Sequence, residues 1–134
     1  MIRILVSGPF NSGKTTFIAT LCSDYLFIST DRKIFNPVER KYKERTTIAF
    51  DFGVTYVLGE KVYLYGTPGQ KRFSYFINTL MKYCEYLVYL VDSSSVASVY
   101  RAKRHFQEFF HGKLDSFKDV IICANKRDIS NAVS

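Results

Sequence analysis

Residues 8 to 15 read GPFNSGKT and satisfy the pattern G-x-x-x-x-G-K-[ST] at every specified position. Before them, Arg3 to Ser7 (RILVS) is a short apolar run suited to a buried parallel strand. After them, Thr15 to Leu21 (TTFIATL) carries Phe17, Ile18 and Leu21 at helical spacing. A strand, a glycine-bearing loop and a helix make a phosphate cradle. Backbone N–H groups converge on the anion, the helix N-terminus adds its positive dipole end, and glycine permits conformations that a Cβ forbids. Lys14 brings a point charge to the phosphates, and Thr15 brings a hydroxyl suited to Mg²⁺.

The rest of the chain supplies the strands and helices that such a loop needs. Ser23 to Tyr42 mixes aromatic, charged and turn residues, contains Asn36-Pro37, and keeps neither a period of 2 nor one of 3.6, so it reads as a long loop. Thr47 to Leu58 (TIAFDFGVTYVL) is rich in strand formers. The turn at Gly59-Glu60 then leads into Lys61 to Tyr65 (KVYLY), which predicts a hairpin. Gly66 to Gln70 (GTPGQ) breaks the strand, and Phe73, Phe76, Ile77, Leu80 and Met81 mark one face of a helix that ends near Tyr83. Tyr86 to Val91 (YLVYLV) reads as a strand covered on both faces, followed by the capping types Asp92 to Ser95. The next helix has the stripe Val96, Val99, Phe106, Phe109 and Phe110, and Asp119 to Ala124 (DVIICA) is a further buried strand that runs into Asn125-Lys126-Arg127-Asp128. This order, β, α, ββ, α, β, α, β, predicts an α/β fold: a three-layer, mostly parallel sheet with one antiparallel edge strand.

Composition bounds the reading. A chain of 134 residues, 47% hydrophobic and 16% aromatic, is one domain with a real core and is not disordered. No apolar run approaches the ~18 residues of a membrane span. With no leader pattern and no lipidation signal, the expectation is a cytoplasmic protein without a membrane anchor. Cys22, Cys84 and Cys123 lie far apart beside apolar residues, as buried free thiols do. The net charge of +7 is concentrated between Arg32 and Arg45 and at Arg101, Lys103 and Arg104. A solvated face accounts for it better than a nucleic-acid partner, because no nucleic-acid module accompanies it.

In an open α/β sheet, ligands sit at the carboxyl ends of the strands. Four signals fall there: the loop at 8 to 15, Thr46-Thr47, Gly66 to Gln70, and Asn125 to Asp128. In that order they resemble the Ras-like small GTPases, with GxxxxGK[ST], a switch I Thr, DxxGQ and NKxD. The stretches TTIAFDFG and YGTPGQKRF look most like the prokaryotic branch that includes the gliding-motility protein MglA. The resemblance covers nearly the whole chain. It implies a P-loop NTPase sheet and a guanine-nucleotide switch that uses GTP/GDP and Mg²⁺ and hydrolyses GTP slowly without a partner. The alternative is a binding module that does not hydrolyse.

The residues that the resemblance assigns to nucleotide are Asn11, Ser12, Gly13, Lys14, Thr15, Thr16, Thr47, Gly69, Asn125, Lys126 and Asp128. Thr15 and Thr47 would hold Mg²⁺, with Thr46 a close competitor of Thr47, and Lys14 and Gln70 would act in catalysis. A carboxylate such as Asp128 can accept two hydrogen bonds from guanine where adenine offers no such donor pair. Asn125 is expected to tie its loop to the phosphate loop, and the stem of Lys126 to lie along the purine. Effector and regulatory proteins would engage switch I and switch II.

Two departures stand beside these matches. Gly66 occupies the place of the family's Asp, which holds a Mg²⁺-bound water, and neither Asp51, placed in the hairpin, nor Asp92, read as a helix cap, is assigned to replace it. Arg45 is a weak candidate for a built-in arginine finger. The family's last strand and helix have no counterpart after Asp128, which reads as a single, C-terminally shortened G domain spanning 1–134. The uncovered edge would then invite self-association.

Overall fold

The computed structural model describes residues 1–9, 11–29, 51–67 and 74–126. Among the described residues, six strands form a single sheet in the order β2-β3-β4-β1-β5-β6. They are β1 (Ile2–Ser7), β2 (Leu26–Ser29), β3 (Asp51–Val57), β4 (Glu60–Gly66), β5 (Tyr86–Asp92) and β6 (Asp119–Asn125). The helices are α1 (Lys14–Leu21), α2 (Ser74–Tyr83) and α3 (Val96–Phe110), with a short 3₁₀ turn at Leu114–Ser116.

The expected alternation of strands and helices holds, with three differences. A strand, β2, lies inside the stretch that the sequence reads as a loop. It pairs antiparallel with β3, Leu26 opposite Val54 and Ile28 opposite Phe52. Four residues are too few to establish a period, so β2 forms because β3 offers it a partner, not because of its own pattern. In consequence the antiparallel strand is not at the edge. β3 runs against both β2 and β4 and is second in the sheet, and β2 is the edge strand. The third difference is at α3. Val96 is exposed, and the buried face is Ser98, Ala102, Phe109 and Phe110. The helix is capped by Ser95, whose Oγ accepts from the Ser98 N–H at 3.1 Å, and not by Asp92.

Alternation along β1 and β5 divides the core into two faces. Leu5, Leu87 and Tyr89 pack under α2 and α3 with Ile77, Met81 and Phe110. Val6, Val88 and Leu90 face the other way and pack with Ile18 of α1 and with Cys22 directly after it. Helices on both faces of the sheet make the three layers. Cys22 and Cys84 are buried, Cys123 is partly buried, and all three are free thiols. Among the described residues, no helix is long and apolar enough to cross a membrane.

Candidate functional site

The carboxyl ends of β1, β4, β5 and β6 share one edge of the sheet because these strands run parallel. The loop after β1 lies at the centre of that edge. It closes by a bond from the Ser12 N–H to the Pro9 carbonyl at 3.1 Å and enters α1 through Gly13 at φ 98°. This left-handed conformation suits glycine. A side chain there would also collide with Asn125, whose Nδ2 lies 2.3 Å from the position a Cβ would take. The first turn of α1 has no side-chain cap, so its N–H groups face the loop. Lys14 folds back over the loop, its Nζ donating to the carbonyls of Gly8 at 2.9 Å and Pro9 at 2.7 Å. Thr15 and Thr16 are exposed, and Ser12 is fully buried.

The loop after β6 is bound to this cradle. Asn125 Nδ2 donates to the Ser12 carbonyl at 2.9 Å, and Lys126 Nζ donates to the Asn11 carbonyl at 2.6 Å. Asn125 is itself anchored to the end of β5, because its carbonyl accepts from the Ser93 N–H at 3.0 Å and from the Ser93 hydroxyl at 2.6 Å. Lys126 also reaches Asp92 Oδ2 at 3.2 Å. Burial works to raise the Asp92 pKa, but the Ser94 hydroxyl, the Ser94 N–H and the Lys126 ammonium outweigh it and hold the carboxyl below its ordinary value. Asp92 therefore serves as an anchor between two loops at this edge, a role that its place before a helix does not suggest.

β4 adds another contact. Thr67, directly after Gly66, is buried. Its N–H donates to the Val6 carbonyl at 2.9 Å and its hydroxyl to Ser7 Oγ at 2.9 Å, which fixes the exit of β4 beside the exit of β1. Neither Thr67 nor Ser7 is marked by any motif, and a buried hydroxyl pair gives no periodic signal in sequence. The structure thus brings together Asn11, Ser12, Gly13, Lys14, Thr15, Asn125 and Lys126. Thr16 lies beside them on the exposed side of α1. Arg45, Thr46, Thr47, Gly69, Gln70 and Asp128 lie outside the described residues.

Asp51, assigned only to the hairpin by its sequence, also lies at this site. Its Oδ2 accepts the Thr15 hydroxyl at 2.5 Å, and the residue is 6% exposed. Gly53, on the same face of β3, approaches α1 so closely that a Cβ would lie 2.5 Å from Cys22 Sγ. Two residues back along a strand is the same face, so Asp51 reaches the start of that helix.

Strand order, the loop after β1 and its bonds to the end of β6 together define a P-loop NTPase-like fold similar to a GTPase G domain. The G domain of the FeoB iron transporter of T. maritima superposes on it with a TM-score of 0.65 at 16% identity, covering 96% of this chain and 74% of that one. The model of the ADP-ribosylation factor family matches residues 1–134, and the chain belongs to that family. It is 25% identical over 133 residues to the ADP-ribosylation factor-like protein alp41 of Schizosaccharomyces pombe, covering 99% of this chain and 63% of that protein. It is 30% identical over 93 residues to an uncharacterized protein of Methanocaldococcus jannaschii, covering 69% of this chain and 52% of that protein. The chain thus spans between half and two thirds of the length of these relatives.

Proposed function

We propose that the chain is a guanine-nucleotide-binding switch that hydrolyses GTP to GDP with Mg²⁺, slowly in the absence of a partner. The observation that carries this reading is the pair of bonds from Asn125 and Lys126 to Ser12 and Asn11. They hold a base-side loop and a phosphate-side loop in one rigid relation, as a ligand with a base at one end and phosphates at the other requires.

In this reading the N–H groups from Asn11 to Thr16 surround the β- and γ-phosphates. Lys14 exchanges the carbonyls of Gly8 and Pro9 for phosphate oxygens, and Asp128 accepts two hydrogen bonds from the guanine edge. Thr15 presents an exposed hydroxyl oxygen beside Lys14, which fits a hard, oxygen-seeking cation. Thr47 would be its second protein ligand. Mg²⁺, when bound, neutralises charge on the phosphates. Gly69 donates its N–H to the γ-phosphate, Gln70 orients the attacking water, and departure of the γ-phosphate releases the loops that carry Thr47 and Gln70. Those loops would engage effectors and regulators, the cell compartment is the cytoplasm, and β6, with Ile121 and Ile122 exposed, is the surface for self-association. Within the family, TTIAFDFG and YGTPGQKRF carry the assignment to an MglA-like prokaryotic branch.

Titration of the chain with GDP, GTP and ATP, with and without Mg²⁺, tests the binding. The expected result is guanine binding that Lys14→Ala abolishes; equal affinity for ATP, or an indifferent Lys14→Ala, overturns it. Gly66 favours a second reading, a module that binds without hydrolysing, because β4 offers no carboxylate at that position. Single-turnover GTP hydrolysis separates the two: product formation that Gln70→Ala removes supports the switch, and no product from the unaltered chain supports the module.

A further inference from the structure

We infer that Asp51 is the carboxylate that orients Thr15 as a Mg²⁺ ligand, supplied from β3 across the sheet because its neighbour on β4 is Gly66. The inference rests on the nucleotide-binding reading above and adds a residue to it.

Three observations support it. The first is the direction of the hydrogen bond. A threonine hydroxyl has one proton and two lone pairs. With the proton donated to Asp51 Oδ2 at 2.5 Å, the lone pairs of Thr15 are left for a cation at the exposed mouth of the loop. A carboxylate that takes a ligand's proton also raises the electron density on the ligating oxygen, the usual role of a group behind a metal ligand.

The second is register. Asp51 is the residue of β3 directly opposite Gly66, the last residue of β4. P-loop proteins hold their cation with the loop hydroxyl and a carboxylate from a neighbouring strand. Here β4 is the strand beside β1, yet its terminal residue has no side chain.

The third is space. A Cβ built on Gly66 would lie 3.2 Å from Asp51 Cβ and 2.9 Å from Ile18 Cδ1. The volume that a residue 66 side chain would use is already taken by Asp51 and by the helix that carries Thr15. One carboxylate fits between β4 and α1, and in this chain it arises from β3. Placement of Asp51 at 6% exposure also keeps it from competing with water at the mouth, so its reach is to Thr15.

The test follows release of a fluorescent GDP analogue from the full chain across a Mg²⁺ titration. In the unaltered chain, Mg²⁺ slows release. Asp51→Asn retains the shape and an acceptor oxygen for Thr15 but loses the charge. It is expected to require about 10- to 100-fold more Mg²⁺ for the same slowing, while release in EDTA and thermal unfolding without nucleotide stay as in the unaltered chain. The exchange Asp51→Gly with Gly66→Asp returns the carboxylate to β4, with only the flexible end of Ile18 needing to shift, and is expected to recover most of the Mg²⁺ response. An Asp51→Asn variant that holds nucleotide with an unchanged Mg²⁺ midpoint overturns the inference and leaves the nucleotide reading intact. A chain that binds no GDP at all overturns both.

Discussion

The two faces of the sheet are covered differently. On one, α2 and α3 lie side by side over Leu5, Leu87 and Tyr89, and Phe110 is fully buried among them. On the other, α1 covers Val6, Val88 and Leu90 with an eight-residue helix; at the far edge, Ile121 and Ile122 of β6 point to opposite faces and remain 54% and 61% exposed, so β6 is open on both. Among the described residues, the face under α2 and α3 carries neither Thr15 nor Asp51. The other carries the loop, Thr15 and Asp51. The first face thus carries the larger buried cluster, and the second has a short helix with its N-terminus at the carboxyl edge of the sheet.

The strongest way to break this comparison uses two leucines of one strand. Leu87 and Leu90 are both on β5, both essentially inaccessible, and they face opposite ways. Truncating a buried leucine to alanine costs about 2–5 kcal/mol, and the cost depends on how far the surroundings collapse into the cavity. Leu87→Ala, between sheet and two helices, is expected near the top of that range. Leu90→Ala, under the single helix, is expected lower. Urea unfolding of both variants checks the order, and an equal or greater loss at Leu90 removes the claim that the two-helix face dominates stability.

A smaller effect sharpens the same point. The Tyr89 hydroxyl lies 3.0 Å from the Ala102 carbonyl, to which it donates, and is hydrogen-bonded to His105 Nδ1 at 2.8 Å. His105 Nε2 is buried with no partner among the described residues. Tyr89→Phe removes both contacts and leaves buried His105 Nδ1 without its partner, for a loss of about 1–3 kcal/mol by urea unfolding.

His105 also gives the first face a pH dependence. Burial, aided by the Lys14 charge and opposed by Glu108, pushes its pKa down from 6.5 to about 4. As pH falls below 6.5 the unfolded chain takes up a proton that the folded chain refuses until about 4. Stability therefore declines across that window and is unaffected by this group above it. Urea midpoints at pH 7 and pH 5 are expected to separate in the unaltered chain and to approach each other in His105→Phe.

The smallest effect belongs to the exposed strand. Ile121→Lys and Ile122→Lys are expected to change stability by no more than about 0.5 kcal/mol, because both side chains already meet solvent. If β6 is a surface for self-association, sedimentation at high protein concentration will show lower association in these variants. A large loss of stability instead would mean that β6 is covered.

Much of the fold was legible because its signals are local. Val6, Ile18, Leu64, Leu87 and Phe110 sit in runs whose period matches their elements, and the loop at 8 to 15 is specified residue by residue. The bonds from Asn125 and Lys126 to the phosphate loop join residues more than a hundred positions apart, and only the order of motifs along a parallel sheet hinted at them. β2 escaped notice because its pattern depends on its partner. Asp92 was misread because a carboxylate before a helix is a frequent cap, whereas here Ser95 does that work and Asp92 turns to Lys126 and Ser94.

The sequence by itself determined that a phosphate loop stands between a buried strand and a helix, that parallel strands alternate with helices around it, and that the loop at 8 to 15 and Asn125 and Lys126 lie at one edge. Each of those statements needs only spacing along the chain. The tertiary structure decided that Asp51 stands opposite Gly66 and takes the proton of Thr15. That depends on the register of the β3 and β4 hairpin and on how closely α1 packs on Gly53 and Gly66. Both are set by side chains distant in sequence, so no local pattern near residue 51 or residue 66 records them.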